Sequence, residues 1–185
     1  MKNLTKRLVL SKSKGFTLIE LLIVIALLGA LAVALLAALD PLEQIKKGTD
    51  TGIRNTVAEI GSSFTRYASV KGGSMPFSTI AWQAATSAES SAAIQSVIDA
   101  GELKQDFFTL SQGQLDKIYI TALDSDGTQK AYVCFQPTSK SFRVDANTKF
   151  GIVAGTNGTM QEVTGCDASG VGTNPAGATC YWCVQ

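Results

Sequence analysis

Four cysteines, Cys134, Cys166, Cys180 and Cys183, are the side chains of this sequence best suited to covalent or metal chemistry. Three chemistries are open to them. Cys180-x-x-Cys183 could be a redox pair, which needs a helix N-terminus to lower the thiol pKa. The pair lies instead in the strand-like run Cys180-Tyr181-Trp182-Cys183-Val184-Gln185. Cys134 and Cys166 could complete a four-cysteine zinc site. An even cysteine count behind a membrane-targeting segment favours the third chemistry, disulfides formed outside the cytoplasm. Of the three pairings, Cys166–Cys180 would close a loop-rich stretch, and Cys134–Cys183 would join two similar segments, Tyr132–Gln136 and Tyr181–Gln185. Loops of such lengths contribute about 2–4 kcal/mol when closed. Asp124-x-Asp126-Gly127 could open a calcium loop, but no acidic ligand follows where one is needed, and a hairpin turn explains the same residues. No metal or cofactor is assigned.

The sequence has no histidine, so the commonest general base and metal ligand is missing. It has no glycine-rich phosphate loop with its lysine either. No catalytic residue is nominated, and the chain is not expected to be an enzyme. Charge excludes another class. The first fifteen residues hold Lys2, Lys6, Arg7, Lys12 and Lys14 and no acid. The remainder keeps eleven basic against 15 acidic residues, a net of −4. That balance offers no basic track for a nucleic-acid backbone, and no specific nucleic acid is assigned. Trp82, Tyr181 and Trp182 could be adhesive surface aromatics, although such residues more often pack half-buried.

The elements that must position these residues begin with residues 16–39, which are apolar almost without interruption apart from Glu20. At about 1.5 Å per residue, such a helix crosses a bilayer core with some tilt. Basic residues on its N-terminal side alone keep residues 1–15 in the cytoplasm and send the rest outside. A secretory signal would have a shorter apolar run and a small-x-small site after it; here Asp40-Pro41-Leu42-Glu43-Gln44 follows. From Leu42 to Val70, apolar residues at three- and four-residue spacing predict an amphipathic helix. Pro41 is expected to kink its start, and Gly48 with Gly52 to weaken it. Lys71-Gly72-Gly73 ends it, and residues 77–86 are ambiguous. A helix is expected over 87–101, then strands at Lys117–Leu123, Gln129–Gln136 and Phe142–Asp145. Residues 156–179 read as loop, and the C-terminal run as a strand paired with Tyr132–Gln136.

The run Lys14-Gly15-Phe16-Thr17-Leu18-Ile19-Glu20-Leu21-Leu22-Ile23-Val24-Ile25 resembles the class III signal of type IV prepilins and pseudopilins. The resemblance covers about the first 40 residues. It implies an α+β fold, with a long N-terminal helix packed through its amphipathic half on a small antiparallel sheet head. It divides the chain into a leader (1–15), a transmembrane or fibre-core helix (16–40) and an extracytoplasmic head (41–185). It further implies that a prepilin peptidase cuts between Gly15 and Phe16 and N-methylates Phe16. Glu20 would then pair with the Phe16 ammonium of its own or a neighbouring chain. An ionisable group in an apolar span is costly and functional by default, and a buried carboxylate needs a cation.

Ala26, Gly29, Ala30 and Ala34 place small residues where helices could approach closely. Many members have a proline several residues before the end of the run, near Ala37 here. Its absence shifts any helix melting toward Pro41–Gly52. The expected role is a pilin that polymerises into a helical surface filament, after residence in membrane lipid and with an inner-membrane platform and ATPase as partners. The alternatives are a pseudopilin of a secretion or DNA-uptake machine and a membrane-anchored binding domain.

Overall fold

The computed structural model describes residues 15–125, 128–152, 160–173 and 176–185. The basic leader through Lys14 and the Asp126-Gly127 turn lie outside the described residues. So do the side chains of residues 123–125, including Asp124 of the weighed calcium loop. The chain divides into two compact units, one ending at Pro41 and one running from Leu42 to Gln185.

The first unit is the helix α1 (Leu18–Ala38). Thr17 caps it in extended conformation, and Leu39 leaves the helix at its other end. Pro41 therefore starts a new helix instead of kinking a continuous one. A proline at the first helical position loses no hydrogen bond, because that N–H would be unpaired anyway.

The second unit is built on α2 (Pro41–Val70). Gly48 and Gly52 lie within it without interrupting it. Ile53, Val57, Ile60 and Phe64 recur every three or four residues and are buried on one face. Against them lie the inward side chains of a seven-stranded sheet: β1 (Ile80–Ala84), β2 (Ile118–Ser125), β3 (Thr128–Phe135), β4 (Thr148–Ile152), β5 (Met160–Glu162), β6 (Val171–Thr173) and β7 (Ala176–Val184). The order is β1-β2-β3-β7-β4-β5, with β6 also on β7, and every pairing is antiparallel. Two further helices, α3 (Ala88–Asp99) and α4 (Phe107–Leu115), add Ile94, Val97, Ile98 and Phe107 to the same core. Gly101, at φ 82°, ends the turn after α3. This is the α+β arrangement expected from the sequence.

Strand alternation sorts the sheet into two faces. Ile118, Ile120, Val133, Phe135 and Trp182 point to α2. Cys134, Cys183 and Met160 form a second cluster on the outer face, with Trp82, Tyr132, Phe150 and Tyr181 packed half-buried against it. Trp182 is thus a core residue. Its indole N–H donates to Asp145 at 3.1 Å, and the Arg54 guanidinium lies 5.3 Å from its ring. On the outer face Trp82 stacks on Tyr119, and Tyr181 meets both edge-on.

Two further sequence expectations are corrected. Phe142–Asp145 is not a strand; Lys140–Arg143 forms a short helix, α5. The cause is Asp50, fully buried on the inner side of α2. Its carboxylate accepts from the Thr138 N–H (3.0 Å), the Thr138 hydroxyl (2.8 Å), the Ser139 N–H (2.7 Å) and the Ser139 hydroxyl (2.7 Å). Glu43 accepts from the Lys140 N–H. Carboxylates at these amides satisfy the first donors of a helix and favour it over a strand. The stretch read as loop over 156–179 contains β5 and β6, and residues 176–179 begin β7. Gly151 and Gly172 allow these strands to close on Val163, whose side chain a Cβ at either position would meet at 2.5 or 2.0 Å.

Asp50→Ala leaves four donors without an acceptor and is expected to cost the head about 3 kcal/mol. Urea denaturation of the full chain in lipid nanodiscs, followed by the combined fluorescence of Trp82 and Trp182, measures this; a loss below about 1 kcal/mol refutes the role. Tyr181 gives a second prediction. Burial, and then the neighbouring Tyr119 phenol, push its hydroxyl above the usual tyrosine range. The neutral form is favoured in the fold, so its stabilisation is complete below about pH 10 and lost as pH rises through the raised value. Of the four tyrosines, one should ionise late in a phenolate absorbance titration, and Tyr181→Phe should remove that late phase. A late phase that survives this substitution contradicts the assignment.

Candidate functional site

The residues nominated for processing and assembly gather at the start of α1. Gly15 and Phe16 are exposed, Phe16 to 87%. A Cβ at Gly15 would meet nothing within 4 Å among the described residues. The fold itself therefore does not require glycine there.

Glu20 does not bond Phe16, whose nitrogen is an amide in the uncut chain. It folds back on Thr17. The carboxylate Oε2 accepts from the Thr17 N–H at 2.8 Å and the Thr17 hydroxyl at 2.7 Å. The Glu20 N–H donates in return to the Thr17 hydroxyl oxygen at 3.3 Å. This reciprocal capping box satisfies two of the helix's unpaired N–H groups. It also lowers the cost of placing a carboxylate at the edge of lipid, because both donors replace water. An ionised carboxylate offers about four lone-pair sites, so two donors do not exhaust it.

Thr17 was not singled out from sequence. The Thr-x-x-Glu pattern directly before an apolar run is the signal that marks it.

Beyond Glu20, α1 is apolar on every side. An 18-residue stretch of it has a mean hydropathy of 3.0, and none of its 21 residues is buried. Ala26, Gly29, Ala30 and Ala34 lie at the three- and four-residue spacing that shares a helix face. A Cβ at Gly29, too, would meet nothing within 4 Å. A helix apolar all round is covered either by lipid or by other protein, and none of this surface is buried within its own unit.

The cysteines lie in the head. Both pairs favoured from sequence are brought together: Cys134–Cys183 at 2.03 Å and Cys166–Cys180 at 2.08 Å. Cys134 and Cys183 are direct cross-strand partners in β3 and β7. Among the described residues no cysteine is free, and no group of three or more His, Cys, Asp or Glu could hold a metal ion.

Residues 10–36 match the family model of the prokaryotic N-terminal methylation motif. No curated protein and no solved structure matches the chain.

The pairing has a direct chemical readout. A thiol titration of the denatured, unreduced protein should find no free thiol, and four after reduction. Two or more thiols before reduction would return the redox and zinc readings to consideration.

Proposed function

We propose that this chain, by its methylation motif a type IV pilin-like or pseudopilin precursor, is a filament subunit. The apolar N-terminal helix and the antiparallel sheet of the head fit the type IV pilin-like fold. One observation carries the filament reading: a span-length helix that is bare on every side and bears a carboxylate on its first turn.

In this reading the precursor sits in the cytoplasmic membrane through α1, with lipid covering the apolar surface. A prepilin peptidase cuts after Gly15 and methylates the new amine of Phe16. An assembly platform with its ATPase then draws the subunit from the bilayer into a stack of identical helices. Small side chains at Ala26, Gly29, Ala30 and Ala34 let those helices approach closely. Water leaves the stack, so the Glu20 carboxylate needs a cation. The Phe16 ammonium of a neighbouring subunit supplies it and fixes the axial register. Thr17 holds the carboxylate on the N-terminal side of the helix, where that amine arrives. The two disulfides of the head suit an oxidising extracytoplasmic setting.

The test is the intact mass and N-terminal sequence of protein sheared from the cell surface. The expected species starts at N-methylated Phe16 and is four hydrogens light. Protein kept in the envelope but starting at the same residue would favour the pseudopilin role. A chain still starting at Met1 would exclude processing altogether. Glu20→Val should be processed normally yet enter filaments poorly. Abundant filaments from that variant would remove the role given to Glu20.

A further inference from the structure

The outer face of the sheet carries a hollow of about 290 Å³ between β3, β4 and β5. Tyr132, Lys149, Phe150, Gln161, Glu162 and Gln185 line it. Adjacent residues on a regular strand point to opposite faces, yet Lys149 and Phe150 both reach this hollow. The register between β4 and β7 slips between Thr148 and Phe150. Such a bulge re-aims side chains, and here it brings an ammonium beside an aromatic ring. The Lys149 Nζ lies 5.5 Å from the Phe150 ring centre and 2.6 Å from the Glu162 carboxylate. The Tyr132 ring stands 5.6 Å from Phe150, tilted by 57°.

The floor beneath them is fixed. Met160, 8% exposed, places its sulfur 3.7 and 3.8 Å from the two sulfurs of the Cys134–Cys183 disulfide. A cross-strand covalent bond under the hollow limits how far its walls can spread.

The lining chemistry selects the class of ligand. The side chains supply one cation and one anion, already paired, so an anionic ligand meets Glu162 and a cationic one meets Lys149. A purely apolar ligand would cover the ion pair without replacing its water, which is costly. What remains is a pair of rings bordered by amide, ammonium and carboxylate groups. A pyranose is complementary to that: its C–H face stacks on an aromatic ring, and its hydroxyls both donate and accept. Small polar ligands in such concave sites are oriented by a few convergent polar groups.

We propose that this hollow is a subsite for one neutral sugar unit of a glycan. Tyr132 and Phe150 take the C–H face, and Lys149, Gln161 and Glu162 take the hydroxyls. Phe150 is the register partner of Tyr181, whose ring touches Tyr119 and Trp82. The aromatic strip therefore continues across the sheet and offers contacts to adjoining sugars. The proposal is independent of filament assembly, because every residue in it belongs to the head.

The experiment uses the full unprocessed chain in phosphatidylcholine nanodiscs, which present no sugar. Neutral tetrasaccharides of glucose, N-acetylglucosamine, mannose and galactose serve as probes in saturation-transfer NMR at up to about 10 mM. At least one should bind saturably. Phe150→Ala and Tyr132→Ala should each weaken binding about tenfold or more. Lys149→Met and Gln161→Ala, both at exposed positions, should weaken it several-fold with the disulfides intact by thiol count. Four results overturn the proposal: no saturable binding of any probe; binding unchanged in all four variants; a heparin tetrasaccharide preferred over every neutral one; or concentration-dependent dimers in sedimentation that Phe150→Ala abolishes, which would assign the face to a second copy of the chain.

Discussion

Apolar side chains all around α1 set the condition that the rest of this protein has to meet. In water, the exposed surface of its leucines, isoleucines and valines would drive association with whatever apolar surface came first. A bilayer can cover that surface, and in the filament proposed above identical helices would cover it instead. Only a covering that also answers Glu20 makes the second state specific. Lipid answers poorly, since it offers no partner beyond headgroups and water at the edge. The Thr17 capping box is a provisional answer inside one chain: two donors hold the carboxylate, no charge is neutralised, and the group remains available to a cation. In the proposed filament, the single acid on α1 would therefore favour a neighbour that brings a cation to the first turn.

The head solves a different problem. It must fold around one long helix, with a seven-stranded sheet whose strands are mostly short. Burial of Ile53, Val57, Ile60 and Phe64 on the inner face supplies the hydrophobic part. Polar contacts supply alignment. Asp50 ties α2 to the Thr138-Ser139 turn, and Arg66 ties its far half to Glu102 at 3.1 Å. A buried carboxylate held by neutral donors contributes little net stability compared with an apolar replacement, but removing either side of the arrangement is expensive. Its value is in fixing where the turn sits along the helix.

Much of this was legible in the sequence, for physical reasons that can be named. The apolar run of α1 and the period of α2 are long patterns, which average over local exceptions. The β2–β3 hairpin and the pairing of Tyr132–Gln136 with the C-terminal run follow from alternation. What escaped was decided by contacts distant in sequence. Phe142 and Val144 alternate like a strand, yet Asp50, about ninety residues earlier, turns Lys140–Arg143 into a helix. Asp50 itself had a signal: it sits three residues before Ile53, on the buried side of α2. Helix α4 has too few apolar repeats to stand out, and β5 and β6 lie in Gly- and Thr-rich sequence, where strands form only because β4 and β7 offer them edges. Thr17 is marked only by the spacing Thr-x-x-Glu directly before the apolar run, a local signal that the long apolar pattern overshadows.

Strand β7 has one more implication. It joins β3 to β4 in the sheet order, pairs also with β6, and carries one sulfur of each disulfide. Until residues 176–184 are in place, β6 has no strand to pair with, β1-β2-β3 and β4-β5 stay two separate pieces, and Cys134 and Cys166 lack their native partners. The two pieces of the sheet are therefore joined, and both disulfides closed, only when β7 is added. A chain cut short before β7 would present an open sheet and two unsatisfied thiols, so the final strand decides whether the head is closed at all.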